Sequence, residues 1–179
     1  TSTLLKLARL DMGSESFEHV PVDLGSVVTA ELRFLASVAR ERDLAVSCNV
    51  AAGSAVEGDP EVLRIVVSNL LGNAVQHAPP GSTVACGLAR AEQGWSLEVV
   101  NDAGDLQPGD LAALCEPFWR GDDSRGDRQR AGLGLALSHA LALRADLRLE
   151  FSLVGGRLRA ALSGGQPSDT PTPRNGSSS

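Results

Sequence analysis

Asn69, Asn73 and His77 are spaced four residues apart, with Gln76 beside them, in a run otherwise built from Val62, Leu63, Val66, Leu70, Leu71, Ala74 and Val75. On a helix that spacing puts the polar side chains on one face. Asparagine is a mediocre helix former because its amide competes with the backbone for hydrogen bonds, so two of them in mid-helix need a reason. A row of amide oxygens with an imidazole can face a bound ion or phosphate. A polar stripe at the solvent edge of a helix has the same spacing, and spacing alone leaves both readings open.

Two further segments could act on an anion. Gly132-Leu133-Gly134-Leu135 opens an apolar helical run, and a helix start rich in glycine presents bare backbone N–H groups. A GxG by itself carries little. Ahead of it, Arg120, Arg125, Arg128 and Arg130 are interleaved with Asp122, Asp123 and Asp127. That is either a solvated loop with its charge offset locally or a lid whose guanidinium groups close over phosphate.

The elements that must position these groups follow from periodicity and punctuation. Residues 1–12 read as the end of a helix with Leu4, Leu5, Leu7 and Leu10 on a broad apolar face. Residues 17–24 read as a short extended piece limited by Pro21. Asp23 is placed to cap a helix over 24–42, and a half-buried strand is expected over 44–50. Asp59 as N-cap, Pro60 at the first helical position and Glu61 in the first turn start the asparagine-bearing helix, which ends at about His77 before Pro79-Pro80. Strands are predicted over 83–90 and 96–100, joined as a hairpin around Glu92-Gln93-Gly94. A loop over 101–110, a helical turn over 111–115 and a helix over 132–145 come next. Strands over 147–153 and 157–162 flank Gly155-Gly156. From Ser163 the Gly/Ser/Pro/Thr/Asn composition predicts disorder. This order predicts an α/β two-layer sandwich: a mixed, mostly antiparallel sheet with helices on one face.

Composition narrows the function classes. With 179 residues, 42% of them hydrophobic and 3% aromatic, the chain can build one aliphatic core. A net charge of −6 argues against a general nucleic-acid or anionic-membrane binder. Cys48, Cys86 and Cys115 show no metal-ligand spacing. Cys48 and Cys86, inside apolar runs, read as small buried hydrophobes in a reducing setting. No apolar stretch approaches the roughly 20 residues of a membrane helix.

Taken together, Asp59-Pro60 followed by RIVVSNLLGNAVQHAP resembles the asparagine box of the GHKL ATPases, and within them the sensor histidine kinases. The resemblance implies that Asn73 coordinates Mg2+ held by ATP, and that Asn69, Gln76 and His77 face the phosphates. Val99-Val100-Asn101-Asp102-Ala103-Gly104-Asp105-Leu106 is similar to the family's first glycine box. Asn101 stands where an aspartate accepts the adenine amino hydrogen, and Ala103 and Asp105 stand where glycines are usual. Cys115-Glu116-Pro117-Phe118-Trp119-Arg120 resembles the phenylalanine box, and Gly132, Leu133, Gly134 and Leu135 resemble the second glycine box. Arg120 is thereby a candidate catalytic residue beside Asn73.

The leucine-rich start resembles the end of a dimerisation helix, so the implied organisation is 1–16 helix end, 17–163 ATP-binding catalytic domain and 164–179 disordered tail. The resemblance also implies a cytoplasmic domain of a parent protein in the inner membrane, held there only through a missing N-terminal part. Its partners are a phosphoacceptor domain of the same protein, as a homodimer, and a cognate response regulator. The acceptor histidine is expected before Thr1, since neither His19 nor His139 has the right context. The altered first glycine box motivates the competing expectation of a degenerate, non-catalytic member that serves as an interaction module.

Overall fold

A computed structural model describes residues 17–51, 53–91, 94–116 and 133–165. Strand β1 (Val20–Asp23) runs directly into helix α1 (Leu24–Glu41). Asp23 caps that helix. Its Oδ1 accepts from the Ser26 amide at 3.1 Å and its Oδ2 from the Ser26 hydroxyl at 2.5 Å. The same Oδ1 accepts from the Gly53 amide at 3.0 Å, so the cap also ties down the loop that precedes β3. Helix α1 buries Leu24, Val28, Leu35 and Ala39, the 3.6-residue periodicity expected of it.

Strand β2 (Ala45–Asn49) and strand β3 (Ala55–Gly58) lead to helix α2 (Pro60–His77). Asp59 Oδ1 accepts from the amides of Glu61 (2.9 Å) and Val62 (3.0 Å), and Pro60 occupies the first turn, where no donor is lost. The helix stops at the Ala78 cap ahead of Pro79. Arg42 Nη2 donates to Ala78 O at 2.7 Å and joins the C-terminal ends of α1 and α2.

The hairpin β4 (Thr83–Ala91) and β5 (Gly94–Asp102) is followed by two 3-10 turns at Pro108–Asp110 and Ala113–Cys115. Helix α3 (Gly134–Arg144) and the hairpin β6 (Arg148–Val154) and β7 (Arg157–Gly165) complete the described chain. Five strands form one sheet in the order β2-β4-β5-β7-β6, parallel between β2 and β4 and antiparallel elsewhere. Trp95, Leu97, Val99 and Asn101 alternate along β5 on the buried face. On the opposite face Glu98 pairs with Arg159 across β5 and β7. The helices α1, α2 and α3 pack side by side, with α2 against β5 and α3 against β6. This is the two-layer sandwich with a mixed, mostly antiparallel sheet.

Four details depart from the sequence reading. Strands β1 and β3 pair with each other in a separate two-stranded sheet, and β3 had no local signal. The strand expected to be half-buried over 44–50 is exposed at every residue of β2, Cys48 included, while Cys86 is buried. Asn101 and Asp102 belong to β5 and not to the following loop. Strand β7 runs on to Gly165, through residues predicted to be disordered. The reason is pairing and packing. Gly94 and Trp95 pair with Gly165 and Gly164, and a Cβ on Gly164 would meet Leu147 at 2.8 Å and the Trp95 ring at 3.0 Å. Glycine there leaves room for the indole against the strand. Residues 1–16 and 166–179, assigned to a helix end and a tail, lie outside the described residues.

Candidate functional site

The site is built along α2. Its apolar face buries Val62, Leu63, Val66, Val67, Leu70, Leu71, Ala74 and Val75. Asn69, Asn73 and Gln76 are left half-buried on the adjoining flank, and His77 is exposed in the last turn. The asparagine stripe is therefore neither core nor open surface.

Asn69 joins α2 to the start of α3. Its Nδ2 donates to Gly134 O at 3.0 Å and to Ser138 Oγ at 2.8 Å. The Ser138 hydroxyl donates to Gly134 O at 2.9 Å. A Cβ on Gly134 would sit 3.2 Å from Asn69 Oδ1, a close approach that favours glycine. Asn69 is thus a clamp on the glycine-bearing helix start. Asn73 and Gln76, one and two turns further on, make no side-chain hydrogen bond among the described residues. Their amide groups remain available to a ligand.

Helix α3 begins without a side-chain cap. Its N-cap residue, Leu133, has no side-chain acceptor, so among the described residues the N–H groups of the first turn, including those of Gly134 and Leu135, have no side-chain cap. Leu135 contributes only backbone to this surface, because its side chain lies in the core. Gly132 and Arg120, the other candidates from this part of the chain, lie outside the described residues, as do Arg125, Arg128 and Arg130.

The third wall is the end of β5 and the loop after it. Asn101 is buried at 4% exposure, and its Nδ2 donates to Asp102 O at 2.8 Å. The other polar group of that side chain is a carbonyl oxygen, an acceptor. Asp102 pairs with Arg157 at 3.2 Å, and the Ala103 amide donates to Gly156 O at 2.9 Å, so the strand end is held by the closing turn between β6 and β7. Leu106 turns back, its amide donating to Ala103 O at 3.2 Å, and Asp105 is exposed. In this loop the left-handed φ of +57° falls on Gly104, whereas Ala103 and Asp105 keep negative φ. The substitutions at 103 and 105 therefore impose no backbone strain. A Cβ on Gly104 would lie 3.8 Å from Pro79 Cγ, so the loop rests against the C-terminal end of α2.

The geometry thus lines up along one helix. The α3 start is fixed at Asn69 and the β5 loop rests at Pro79. Asn73, Gln76 and His77 lie between them, over about 15 Å of helix axis at 1.5 Å per residue. Among the described residues, the buried polar side chains are Asn101 and Ser138, and both belong to this site. Buried polar groups are expensive unless hydrogen-bonded, so their concentration here sets this region apart from the aliphatic core. Sequence reasoning missed Ser138. Its signal was a hydroxyl inside the apolar run Leu135, Ala136, Leu137, Ala140, Leu141, four residues after Gly134.

Comparison with known proteins places the chain in a family. Residues 58–176 match the family described as histidine kinase-, DNA gyrase B- and HSP90-like ATPase. The chain is 30% identical over 155 residues to the phosphate regulon sensor protein PhoR of Pseudomonas aeruginosa, covering 86% of this chain and 35% of that protein. It is 30% identical over 146 residues to the sensor-like histidine kinase SenX3 of Mycobacterium tuberculosis, covering 80% and 35%. The chain therefore spans about a third of the length of these curated relatives. The fold resembles that of the Acinetobacter baumannii histidine kinase AdeS, with a TM-score of 0.74 at 18% identity, over 93% of this chain and 76% of that one. It also resembles the mycobacterial sensor histidine kinase MprB, with a TM-score of 0.65 at 25% identity, over 83% and 99%.

Proposed function

This chain belongs to the histidine kinase-, DNA gyrase B- and HSP90-like ATPases, in the form carried by sensor histidine kinases, and from that premise we propose that it binds Mg-ATP along α2 and delivers the γ-phosphoryl group to a histidine outside this chain. The observation that carries the reading is the alignment along one helix of a helix start without a side-chain cap, amides that have no side-chain hydrogen bond among the described residues, and a buried carbonyl acceptor.

The donor set fits the group it would hold. Among the described residues, no cluster of three or more His, Cys, Asp or Glu is placed to bind a metal by itself. An amide carbonyl on Asn73 is a hard oxygen ligand of the kind Mg2+ accepts, with phosphate oxygens and waters completing the shell. When bound, the cation neutralises phosphate charge and orients the transferring group. The protein supplies the rest. Asn101 offers its carbonyl to an exocyclic amino hydrogen. The first-turn N–H groups of α3 donate to anionic oxygens, and Asn69 and Ser138 keep that turn in place. Arg120 and the arginines after it are assigned to the transferring phosphoryl group, where a planar guanidinium can grip two oxygens. Positioning and charge stabilisation then carry the reaction.

The acceptor histidine belongs to a dimerisation segment of the same parent protein, which pairs two copies and passes the phosphoryl group to a response regulator. No helix among the described residues is long and apolar enough to cross a membrane. We assign the domain to the cytoplasmic side of a parent anchored elsewhere in its sequence.

Calorimetric titration of the chain with Mg-ATP tests the reading. Saturable binding that weakens in Asn73→Ala is expected, with no alkali-stable label entering the isolated chain from γ-labelled ATP. Affinity weaker than about millimolar would favour the degenerate interaction module, a reading motivated by the altered first glycine box.

A further inference from the structure

Cys48 on β2 and Cys86 on β4 are direct partners in the parallel register, flanked by the pairs Val46–Val84 and Ser47–Ala85. Partners in a parallel ladder project from the same face of the sheet. For Val84 and Cys86 that is the buried face, with Cys86 at 6% exposure. Adjacent strands lie about 4.8 Å apart, within the Cα separation of about 4.4–6.8 Å that a disulfide spans. The register sets the two side chains next to each other on one face, which brings the thiols within reach of each other.

The two sulfurs differ in access. Every residue of β2 is exposed, so Cys48 meets solvent at the edge of the sheet, whereas Cys86 is buried in the core. Burial, reinforced by the Cys48 contact, pushes the Cys86 thiol up to about 12, so it stays protonated and inert on its own. Cys115, the third cysteine, is half-buried on the far 3-10 turn.

We propose that Cys48 and Cys86 are a reactive thiol pair, which a peroxide converts into an intrachain disulfide joining β2 to β4. In the first step the Cys48 thiolate attacks one peroxide oxygen. An S–O bond forms, the O–O bond breaks, and the departing hydroxide takes up the proton released by Cys48. In the second step Cys86 sulfur attacks the sulfenic sulfur. The S–S bond forms, the S–O bond breaks, and the leaving hydroxyl departs as water with the Cys86 proton. Two thiols are oxidised and one peroxide is reduced to two waters. The bridge closes a loop of roughly 40 residues that contains β3 and all of α2, so Asn69, Asn73, Gln76 and His77 lie inside one covalent clasp. The inference stands independently of nucleotide binding.

The reduced chain is treated with hydrogen peroxide, alkylated, digested without reductant and mapped by mass spectrometry. A linked peptide pair holding Cys48 and Cys86 is expected. It should form in a protein that stays monomeric on a non-reducing gel, raise the melting temperature by several degrees, and revert with dithiothreitol. Cys48→Ser abolishes link and shift together, Cys115→Ser changes neither, and Cys86→Ser leaves Cys48 as a sulfenic acid trapped by dimedone. Sulfinic acid at Cys48 with Cys86 still free, a link between two chains, or a link through Cys115 would each overturn the proposal.

Discussion

Asn69 and Asn73 share a residue type, a helix and a face, yet their surroundings assign them opposite work. Asn69 spends its amide on Gly134 O and Ser138 Oγ, whereas Asn73 makes no side-chain hydrogen bond among the described residues and is the proposed ligand-binding amide. Asn69→Ala should therefore lower stability by about 1–2 kcal/mol, the usual range for removing one partner of a part-buried polar network. That is a fall of roughly 5 °C in melting temperature for a domain of this size. Asn73→Ala should leave the melting temperature of the ligand-free chain within about 1 °C. Its Mg-ATP affinity should fall about 10–100-fold, the loss expected for a bond to a charged group. Thermal unfolding and calorimetry on the same two proteins check the split, and equal destabilisation by both variants would refute it. The unusual placement of two amides in this helical run was legible in the sequence, although spacing alone left a ligand face and a polar stripe both open. Their division of labour was not, because Ser138 stands 69 positions away in the chain.

At the scale of elements, caps and punctuation were readable and edges were not. Asp23 and Asp59 were identified as N-caps from the sequence, and both accept the expected amides. Asp59 also accepts from the Glu18 amide at 3.0 Å, tying the described N-terminus to the start of α2. Asp59→Ala should cost about 1–2 kcal/mol, read as a lower urea midpoint at unchanged m-value. Asp23 carries a pH signature. Hydrogen bonds from the Ser26 side chain, then from backbone amides, hold its carboxyl below the usual 3.8. A depressed folded-state value stabilises the domain above the unfolded value, and that contribution disappears as pH falls from 3.8 through the lowered value. Asp23→Asn should therefore flatten the acid limb of the stability curve below about pH 4; an unchanged limb would contradict this. Strand β3 was invisible because Ala-Val-Glu-Gly has little strand propensity and its partner is the distant β1. The end of β7 was misread because its glycines resemble a tail until Trp95 is seen lying on Gly164. The exposure of Cys48 followed from β2 being an outer strand, a property of topology and not of local composition.

For the molecule as a whole, the placement of α2 decides how ligand binding must show itself. The helix that carries Asn73 also buries eight apolar side chains and touches α1, α3 and β5. A ligand held on it cannot stabilise the site without stabilising the core, so binding should move the single global transition. At a free concentration one hundred times the dissociation constant, that linkage is worth about 2.7 kcal/mol, a rise on the order of 10 °C for a domain of this size. Mg-ATP should produce one shifted transition, and ATP with chelator a smaller shift, because the amide of Asn73 then has no cation to share with the phosphates. In Asn73→Ala the magnesium-dependent part of the shift should vanish while the remainder persists through the α3 N–H groups and Asn101. In Asn69→Ala the starting temperature should be lower but the magnesium-dependent increment retained. Scanning fluorimetry across these three proteins, with and without chelator, distinguishes a ligand seated on α2 from one bound elsewhere. A shift indifferent to both magnesium and Asn73 would place the nucleotide off this helix.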